Sequence, residues 1–361
     1  MVVVQDCEDE RPGQQFEFVP ATQYLWNVTG VLRLAGTDLC ITPPTHDDKD
    51  VASVRLRPCG GHLQCVQRLR FNAHWHSSEM TAMEAVRNDY PPQQHHVHNA
   101  ETSGGRGGRI MCWIMTNPAN HDTKAVAVRD TWGRHCDKLV FMTTQQDDRF
   151  DTWLADLPGP ESREMLWAKS KQAWMRTYHD HLHEYDWFIR GDDDSYIMMD
   201  NLRQFLAAKD ADHPQFFGRL LLAPHNGDTQ PFYSGGPGTV VSRAALKAMG
   251  DAVDAGEPVF GLGDTFADDL ELGLSMAKVG VHPHEVLDEQ GRNLFISLGL
   301  EAERSLRRED DPDNWYWMYC PTAKEGRQCC SDRWIGTHYA TPDEMRALED
   351  KHLAGCEAAG N

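Results

Sequence analysis

At residues 187–196 the chain reads Trp187-Phe188-Ile189-Arg190-Gly191-Asp192-Asp193-Asp194-Ser195-Tyr196, an apolar segment that favours a β-strand and then three consecutive carboxylates. Adjacent like charges repel, so they are tolerated where water solvates them or where a cation neutralises them. At the end of a buried strand the cation is the better explanation, because hard oxygen ligands suit Mn²⁺ or Mg²⁺ that bridges the phosphates of a nucleotide. The alternative is an acidic surface loop, since the chain has 55 acidic residues.

The segments around this stretch alternate between strand and helix patterns. Continuous apolar runs at residues 109–116 and 138–142 predict strands that are buried on both faces. Residues 121–135 have a helical pattern, and a longer helical pattern at 162–185 leads into the strand at 187–190. This order predicts an α/β fold with a mainly parallel, doubly wound sheet, which binds ligands at the carboxyl ends of its strands.

Composition limits the partners and the compartment. A formal net charge of −20 over 361 residues argues against nucleic acid or an anionic membrane surface as partner. The ten cysteines include no CxxC spacing, so disulfides in a secretory compartment explain them better than zinc. Asn27-Val28-Thr29 is an acceptable glycosylation sequon. We find no run of about 18 apolar residues, so a secretory protein would lack its anchor or leader in this chain.

The chain divides into three parts by composition. Residues 92–108 are rich in Gly and His and poor in apolar side chains, which is typical of a linker. The α/β pattern occupies residues 109–361, and residues 1–91 are predicted to form a small β-rich module.

The β-rich module has one feature of a lectin. Residues 31–59 resemble a single repeat of a ricin-type β-trefoil lectin, and Cys40 paired with Cys59 would pin that repeat. Gln67-Arg68-Leu69 stands where such repeats carry Gln-x-Trp, so the aromatic residue is missing. We therefore predict a disulfide-pinned module and keep sugar binding as the less favoured alternative.

Three later segments also carry residue types suited to a ligand site. Tyr233-Ser234-Gly235-Gly236-Pro237-Gly238 has small residues that let the backbone approach a ligand, or it is an ordinary tight turn. Asp268-Asp269 begins a helical pattern, where the acids provide a general base or only complement the helix dipole. His338 ends the apolar stretch Trp334-Ile335-Gly336-Thr337 and is either structural or a distant metal ligand.

Together these segments resemble glycosyltransferase family 31 from about residue 109 to about residue 351. Within that family the chain is similar to the core 1 β1,3-galactosyltransferases, mainly through Trp315-Tyr316-Trp317 and Cys329-Cys330-Ser331-Asp332. The segments that carry the resemblance follow in family order: Met111-Cys112-Trp113-Ile114-Met115-Thr116, Asp130-Thr131-Trp132-Gly133, Asp186-Trp187-Phe188 with the acid triplet, Tyr233-Ser234-Gly235-Gly236, Asp268-Asp269-Leu270-Glu271-Leu272-Gly273, Trp315-Tyr316-Trp317, Cys329-Cys330-Ser331-Asp332 and Thr337-His338-Tyr339.

The resemblance implies a GT-A fold, Mn²⁺ as cofactor and UDP-galactose as donor, with inversion at the anomeric carbon. The implied acceptor is O-linked N-acetylgalactosamine on a glycoprotein, whose 3-hydroxyl receives galactose in core 1 O-glycan synthesis. Family members are type II membrane proteins of the Golgi lumen, so we expect that compartment. We expect no nucleic acid partner, and a homodimer is compatible with the resemblance.

The resemblance also assigns roles to individual residues of this chain. The metal ligands would be Asp194 and His338 together with Asp192, and Asp192 and Asp193 would lie near the ribose. Asp269 would deprotonate the acceptor hydroxyl, with Asp268 as the second candidate. Nucleotide and donor contacts are expected from Thr116, Arg129 and Lys169, and acceptor contacts from Tyr233, Gly235, Gly236, Trp315 and Tyr316.

The sequence departs from the core 1 pattern at two places. Residues 260–276 lack the two cysteines that flank the helix of Asp269 in core 1 enzymes, and Asn293-Leu294-Phe295 replaces a His-Pro-Phe segment. Two alternatives remain within the family. One is another β1,3-glycosyltransferase, such as a fringe-like N-acetylglucosaminyltransferase, and the other is a non-catalytic chaperone-like relative, which would be expected to lack the metal-binding acids.

Overall fold

A computed structural model describes residues 107–225, 228–260, 267–321 and 323–359, with the backbone alone at 225, 228 and 354–359. Of the first 106 residues, it describes the backbone of four strands. The chain divides into two compact units, Met1–His74 and Trp75–Asn361.

The first unit contains a four-stranded antiparallel sheet in the order β1-β2-β3-β4. Alternating apolar and charged residues at 32–34 and 54–57 predict two exposed strands; the first segment falls in β2, and residues 55–57 of the second fall in β4. Some predictions lie outside the described residues and stay predictions. They are the pairing of Cys40 with Cys59, the Gln67 segment and residues 92–106 of the linker. The strands are β1 (Phe16–Tyr24), β2 (Asn27–Leu34), β3 (Leu39–Thr42) and β4 (Arg55–Pro58).

The second unit is built on a mostly parallel six-stranded sheet in the order β10-β13-β8-β5-β6-β7. Strands β5 to β8 pair in parallel, whereas β13 and β10 extend the sheet antiparallel beyond β8. The predicted α/β class with a mainly parallel sheet is confirmed and is consistent with a GT-A fold. The strands are β5 (Ile110–Met115), β6 (Lys138–Thr143), β7 (Thr152–Leu154), β8 (Trp187–Asp192), β9 (Tyr196–Ile197), β10 (Phe216–Phe217), β11 (Arg219–His225), β12 (Asp228–Ser234), β13 (Thr239–Ser242), β14 (Phe295–Ile296) and β15 (Gly336–Thr337).

Burial explains why β5 and β8 occupy the centre of this sheet. All six residues of β5 are buried, as are the first five of β8, which is typical of central strands in a parallel sheet. Trp113 of β5 packs edge-on against Trp174 at a centroid distance of 5.2 Å. The helices of the unit are α1 (Val126–Asp130), α2 (Leu166–His181), α3 (Met199–Leu206), α4 (Arg243–Asp254), α5 (Asp268–Lys278), α6 (Leu300–Ser305), α7 (Trp315–Tyr319) and α8 (Pro342–Ala359).

Two predicted helices differ from the structure in length. The segment 121–135 is a π-helical turn (His121–Ala125), then α1, then a 3₁₀ turn (Trp132–His135). The break falls at Thr131, whose backbone leaves the helical region at φ −115° and ψ −120°. The predicted helix at 162–185 is a 3₁₀ turn (Arg163–Met165) that continues into α2 and ends at His181.

Two disulfides lie in the described part of the chain, Cys112–Cys136 and Cys329–Cys330, and Cys320 is buried as a free thiol. They agree with the prediction that cysteines of this chain form disulfides. Among the described residues, no helix combines the length and apolar character that crossing a membrane requires.

Candidate functional site

The acid triplet lies at the carboxyl end of β8, where its turn is held by one serine. The Ser195 hydroxyl accepts a hydrogen bond from the Asp192 amide at 2.8 Å and donates to the Gly236 carbonyl at 2.6 Å. The Trp132 indole donates to the Ser195 carbonyl at 2.8 Å. These contacts fix the turn between β8 and β9, so the three carboxylates project in set directions from the edge of the sheet.

A histidine from the far end of the chain joins two of these carboxylates. His338 follows β15, and β15 pairs with β9 immediately after the triplet. Its Nε2 lies 3.1 Å from Asp194 Oδ1 and 3.7 Å from Asp192 Oδ2. Ligand atoms of Asp192, Asp194 and His338 all lie within 4.8 Å of one another. Two carboxylate oxygens and one imidazole nitrogen form a donor set that suits Mn²⁺. The structure therefore brings the three predicted metal ligands, Asp192, Asp194 and His338, together as a candidate metal-ligand group.

Asp193 points away from this group and is buried in the protein. Its Oδ2 accepts hydrogen bonds from the Thr116 hydroxyl at 2.7 Å and the Asn120 side-chain amide at 2.8 Å. Burial raises the pKa of Asp193. Burial also opposes ionisation of Asp194, but contacts with His338 and Lys124 outweigh it and lower its pKa to about 2. The adjacent acids therefore differ in environment and in availability to a ligand.

Lys124 is a member of the site that the sequence did not reveal. Its Nζ donates to Asp194 Oδ2 at 2.8 Å and lies 3.6 Å from Asp193 Oδ1. It comes from the π-helical turn that follows β5. A single lysine in a polar segment gives no pattern from which this contact could be predicted.

The two acids at the start of α5 are close in sequence but differ in surroundings. Asp268 is buried, and its Oδ2 accepts from Arg190 Nη2 at 2.9 Å. The same Arg190 nitrogen lies 2.9 Å from Asp192 Oδ1, so one guanidinium connects the start of α5 to the metal-ligand group. Asp269 is half-buried and accepts from the Gly235 amide at 3.1 Å. Burial raises the pKa of both carboxyls, that of Asp268 to about 7.

The paired glycines let the chain pass close to the charged groups of the site. A Cβ on Gly235 would lie 2.4 Å from Arg190 Nη1, and one on Gly236 would lie 2.0 Å from His338 Nδ1. Both distances are shorter than any Cβ contact tolerates. The sequence predicted that these glycines let the backbone approach a ligand, and that stays a prediction. In the structure they let the backbone pass close to Arg190 and His338.

The aromatic residues expected to contact an acceptor occupy different environments. Tyr233 is fully buried, and its hydroxyl exchanges hydrogen bonds with the main chain of His284. Tyr316 is also buried and bonds Glu303 and Arg219 through its hydroxyl. The structure thus places both tyrosines in the core, whereas Trp315 is partly exposed.

The residues expected near the nucleotide also divide into two groups. Thr116 binds Asp193, and its carbonyl accepts from the buried Lys169, which also pairs with Glu161. Burial lowers the pKa of Lys169. Arg129 instead pairs with its neighbour Asp130, away from the contacts of the triplet.

Tyr339 is a further exposed aromatic residue, for which the sequence indicated no role. It is 57% exposed, adopts a left-handed backbone with φ 57°, and stacks on the His338 ring at 3.8 Å. A non-glycine residue in this region of backbone space carries strain, which is common at functional sites.

The chain is similar to several known proteins. A family model described as Fringe-like matches residues 107–287. Glycoprotein-N-acetylgalactosamine 3-beta-galactosyltransferase 1 of Xenopus laevis is 36% identical over 67% of this chain and 65% of its own length. Chondroitin sulfate synthase 3 of Mus musculus is 28% identical over 42% of this chain, and chondroitin sulfate glucuronyltransferase of Homo sapiens is 26% identical over 48%. The match covers 19% and 23% of those two proteins.

Proposed function

Because this chain belongs to the Fringe-like family, glycosyltransferase family 31, we propose that it transfers galactose from UDP-galactose to O-linked N-acetylgalactosamine on glycoproteins. The acceptor position would be the 3-hydroxyl. The frog relative bears the name of this activity, which supports the choice of donor and acceptor. The observation that carries the glycosyl-transfer part of the proposal is the convergence of Asp192, Asp194 and His338 beside the carboxylates of α5.

The metal-ligand group supports the use of a nucleotide-sugar donor with Mn²⁺. Asp192, Asp194 and His338 would hold the ion, and the ion would supply the positive charge that a departing diphosphate requires. Asp193 is not a metal ligand in this proposal. Its hydrogen bonds with Thr116 and Asn120 hold its carboxylate in the protein interior, so it does not compete for the ion.

Asp269 is the better of the two general-base candidates. The Asp268 carboxylate is buried against Arg190, whereas Asp269 is half-buried and is oriented by the Gly235 amide. In the proposed reaction the acceptor oxygen bonds to the anomeric carbon while the bond from that carbon to UDP breaks. The hydroxyl proton passes to Asp269, and a single displacement of this kind inverts the anomeric configuration.

Two accessible aromatic residues support a sugar acceptor. An aromatic ring gives a sugar an apolar face to pack against while its hydroxyls keep their hydrogen bonds. Trp315 is partly exposed, and Tyr339 lies over the ligand histidine. We assign acceptor contacts to these two side chains in place of the buried Tyr233 and Tyr316. The Golgi lumen would supply both substrates, and its oxidising environment suits the disulfides.

A second candidate is a fringe-like N-acetylglucosaminyltransferase, which the description of the matching family model favours. The metal-ligand group and general base serve either donor, so they do not separate the two activities. A non-catalytic relative is disfavoured because Asp192, Asp194, His338 and Asp269 are all retained with ordered contacts.

A donor screen tests the proposal. The purified chain is incubated with Mn²⁺, an N-acetylgalactosamine glycoside and either UDP-galactose or UDP-N-acetylglucosamine, and UDP release and product are measured. We expect transfer from UDP-galactose, and loss of that transfer in Asp194→Ala. Transfer from UDP-N-acetylglucosamine alone would replace the proposal by the fringe-like activity. Absence of transfer from both donors, with folded protein, would favour the non-catalytic relative.

A further inference from the structure

A lysine side chain, Lys124, contacts the acid triplet through the Asp194 oxygen that does not face His338. Asp194 Oδ1 faces His338 Nε2 at 3.1 Å, whereas Asp194 Oδ2 accepts from Lys124 Nζ at 2.8 Å. Lys124 also lies 3.6 Å from Asp193 Oδ1. One carboxylate that the proposed function assigns to the metal is therefore shared with a lysine.

We propose that Lys124 is a displaceable counter-ion of the triplet, which moves from Asp194 to the donor diphosphate when metal and nucleotide bind. This inference rests on the proposed function, and it concerns how metal and nucleotide binding are coupled. Without ligands the ammonium offsets the repulsion between Asp193 and Asp194. A divalent ion on Asp194 adds positive charge beside that ammonium, so the two cations oppose each other until an anion arrives.

Among the described cationic side chains at or near these carboxylates, Lys124 has the most freedom to move. The Arg190 side chain is 4% exposed and bound to both Asp192 and Asp268, so it is fixed from two sides. The buried Lys169 is held by Glu161 and the Thr116 carbonyl. The Lys124 side chain is 33% exposed, and an ammonium on a flexible four-carbon stem can change partners with little disturbance.

The consequence is cooperative binding of metal and nucleoside diphosphate. With no diphosphate present, the lysine competes with Mn²⁺ for Asp194, and the metal binds weakly. When a diphosphate binds, the Lys124 ammonium pairs with its phosphates and leaves Asp194. The lysine then no longer competes with Mn²⁺, so the metal binds more tightly. By linkage, Mn²⁺ tightens nucleotide binding by the same factor.

The test measures Mn²⁺ binding to the whole chain by electron paramagnetic resonance of the free ion, with and without UDP. In the unsubstituted protein we expect UDP to tighten Mn²⁺ binding by about tenfold or more. In Lys124→Met, Mn²⁺ alone should bind several-fold more tightly, and the enhancement by UDP should shrink by about the same factor. Lys124→Arg keeps the charge and should restore weak binding of Mn²⁺ alone.

Lys138→Met is the matched control. The Lys138 side chain is 32% exposed and pairs with Asp151. Lys138 is the first residue of β6, whereas the site lies at the carboxyl ends of the strands, so Lys138→Met removes a similar ion pair outside the site. Its Mn²⁺ binding should equal that of the unsubstituted protein. Weaker binding of Mn²⁺ alone by folded Lys124→Met, or an unchanged UDP enhancement, would overturn the counter-ion role while leaving the proposed function intact. Absence of Mn²⁺ binding in every variant, with UDP present, would overturn the metal site itself.

Discussion

Asp268 and Asp269 are adjacent residues to which the fold gives different partners. The Asp268 carboxylate is enclosed with Arg190, which makes it part of a buried ion pair. Asp269 takes a main-chain hydrogen bond from Gly235 and keeps part of its surface open. A base has to reach its substrate, so accessibility decides between two otherwise equivalent residues.

Substitution of each acid by asparagine separates these roles. Asp269→Asn should lower kcat by about 10² to 10⁴, because no base remains to take the proton from the hydroxyl of the acceptor sugar. The substitution should leave Mn²⁺-dependent UDP binding unchanged. Asp268→Asn leaves the buried Arg190 charge partly uncompensated, so it should chiefly lower the melting temperature. Steady-state kinetics, UDP titration and thermal unfolding distinguish the two variants. A fully active Asp269→Asn protein would exclude Asp269 as the base.

The pH dependence of transfer follows from the same carboxylate. Burial raises the pKa of Asp269 above the ordinary aspartate value of 3.8, so the carboxyl holds its proton to a higher pH than a solvated one. A base acts when deprotonated, and kcat/KM should therefore fall as the pH decreases through this raised pKa. Measurement of kcat/KM against pH, at saturating Mn²⁺, should show an acidic limb with its midpoint above 3.8. A rate that stays constant down to that value would contradict the raised pKa.

Residue types predicted part of the site, and packing determined the rest. Asp194 and His338 were expected to meet, and they lie 3.1 Å apart. Lys124 was missed, because an isolated lysine has no spacing that marks it. Tyr339 stands beside His338 in the segment 337–339, but no role was assigned to it. Tyr233 was expected to contact the acceptor because of its place in a motif, but it is buried in the structure. Whether a residue is buried depends on which other segments pack against it, and a motif does not specify those segments.

At the level of elements, the loop between β12 and β13 makes the closest approach to the site. Gly236→Ala would place a Cβ 2.0 Å from His338 Nδ1 and push the imidazole away from Asp194. We expect Mn²⁺-dependent UDP affinity to fall by at least about tenfold, as when the support of a metal ligand is lost. Isothermal titration calorimetry measures this change.

Gly159→Ala is the control, because its Cβ would meet no atom nearer than Met165 Cε at 3.8 Å and should leave UDP affinity unchanged. Equal UDP affinity in both variants would show that Gly236 does not support the ligand histidine.

Helix α8 is fixed to the strand after the triplet by one buried acid. Glu349 accepts hydrogen bonds from Arg134 at 2.6 Å and the Tyr196 hydroxyl at 3.1 Å, and lies 2.7 Å from His135 Nε2. Burial opposes ionisation, but these contacts outweigh it and lower the pKa of Glu349 below 4.5.

A carboxyl whose folded-state pKa is lowered contributes stability above its unfolded pKa and loses that contribution as pH falls through the folded one. At neutral pH, Glu349→Gln should cost about 2 kcal/mol of unfolding free energy. The difference from the unsubstituted protein should shrink as the pH falls below 4.5. Urea unfolding across this range provides the test, and a difference independent of pH would show that the charge of Glu349 contributes nothing.

The longest elements could be predicted from sequence, but the short ones could not. Strands β5 and β8 are continuous apolar runs buried on both faces, so periodicity alone identifies them. Strands β9 and β15 have two residues each, too few for any pattern, yet their pairing brings His338 to the triplet. The helix predicted over residues 121–135 breaks at Thr131 because tertiary contacts override local preference.

Over the whole molecule, one sheet edge gathers charged groups from distant parts of the chain. Arg190 links the metal-ligand group to α5, and β15 delivers His338 from beyond α7. Alternation of strands and helices predicted the sheet, and the site proposed above lies at the edge where such sheets are expected to bind ligands. Which loops meet there depends on strand order, and that order follows from packing of the whole unit.

The most direct test of the central claim follows the product of the reaction by NMR. The unsubstituted chain receives Mn²⁺, UDP-galactose and an α-linked N-acetylgalactosamine glycoside, and proton spectra are recorded during turnover beside Asp194→Ala. The proposal predicts that galactose appears in a β linkage to the 3-hydroxyl of the acceptor, and that Asp194→Ala gives no product. An α linkage, transfer to another hydroxyl, or equal turnover by Asp194→Ala would contradict it.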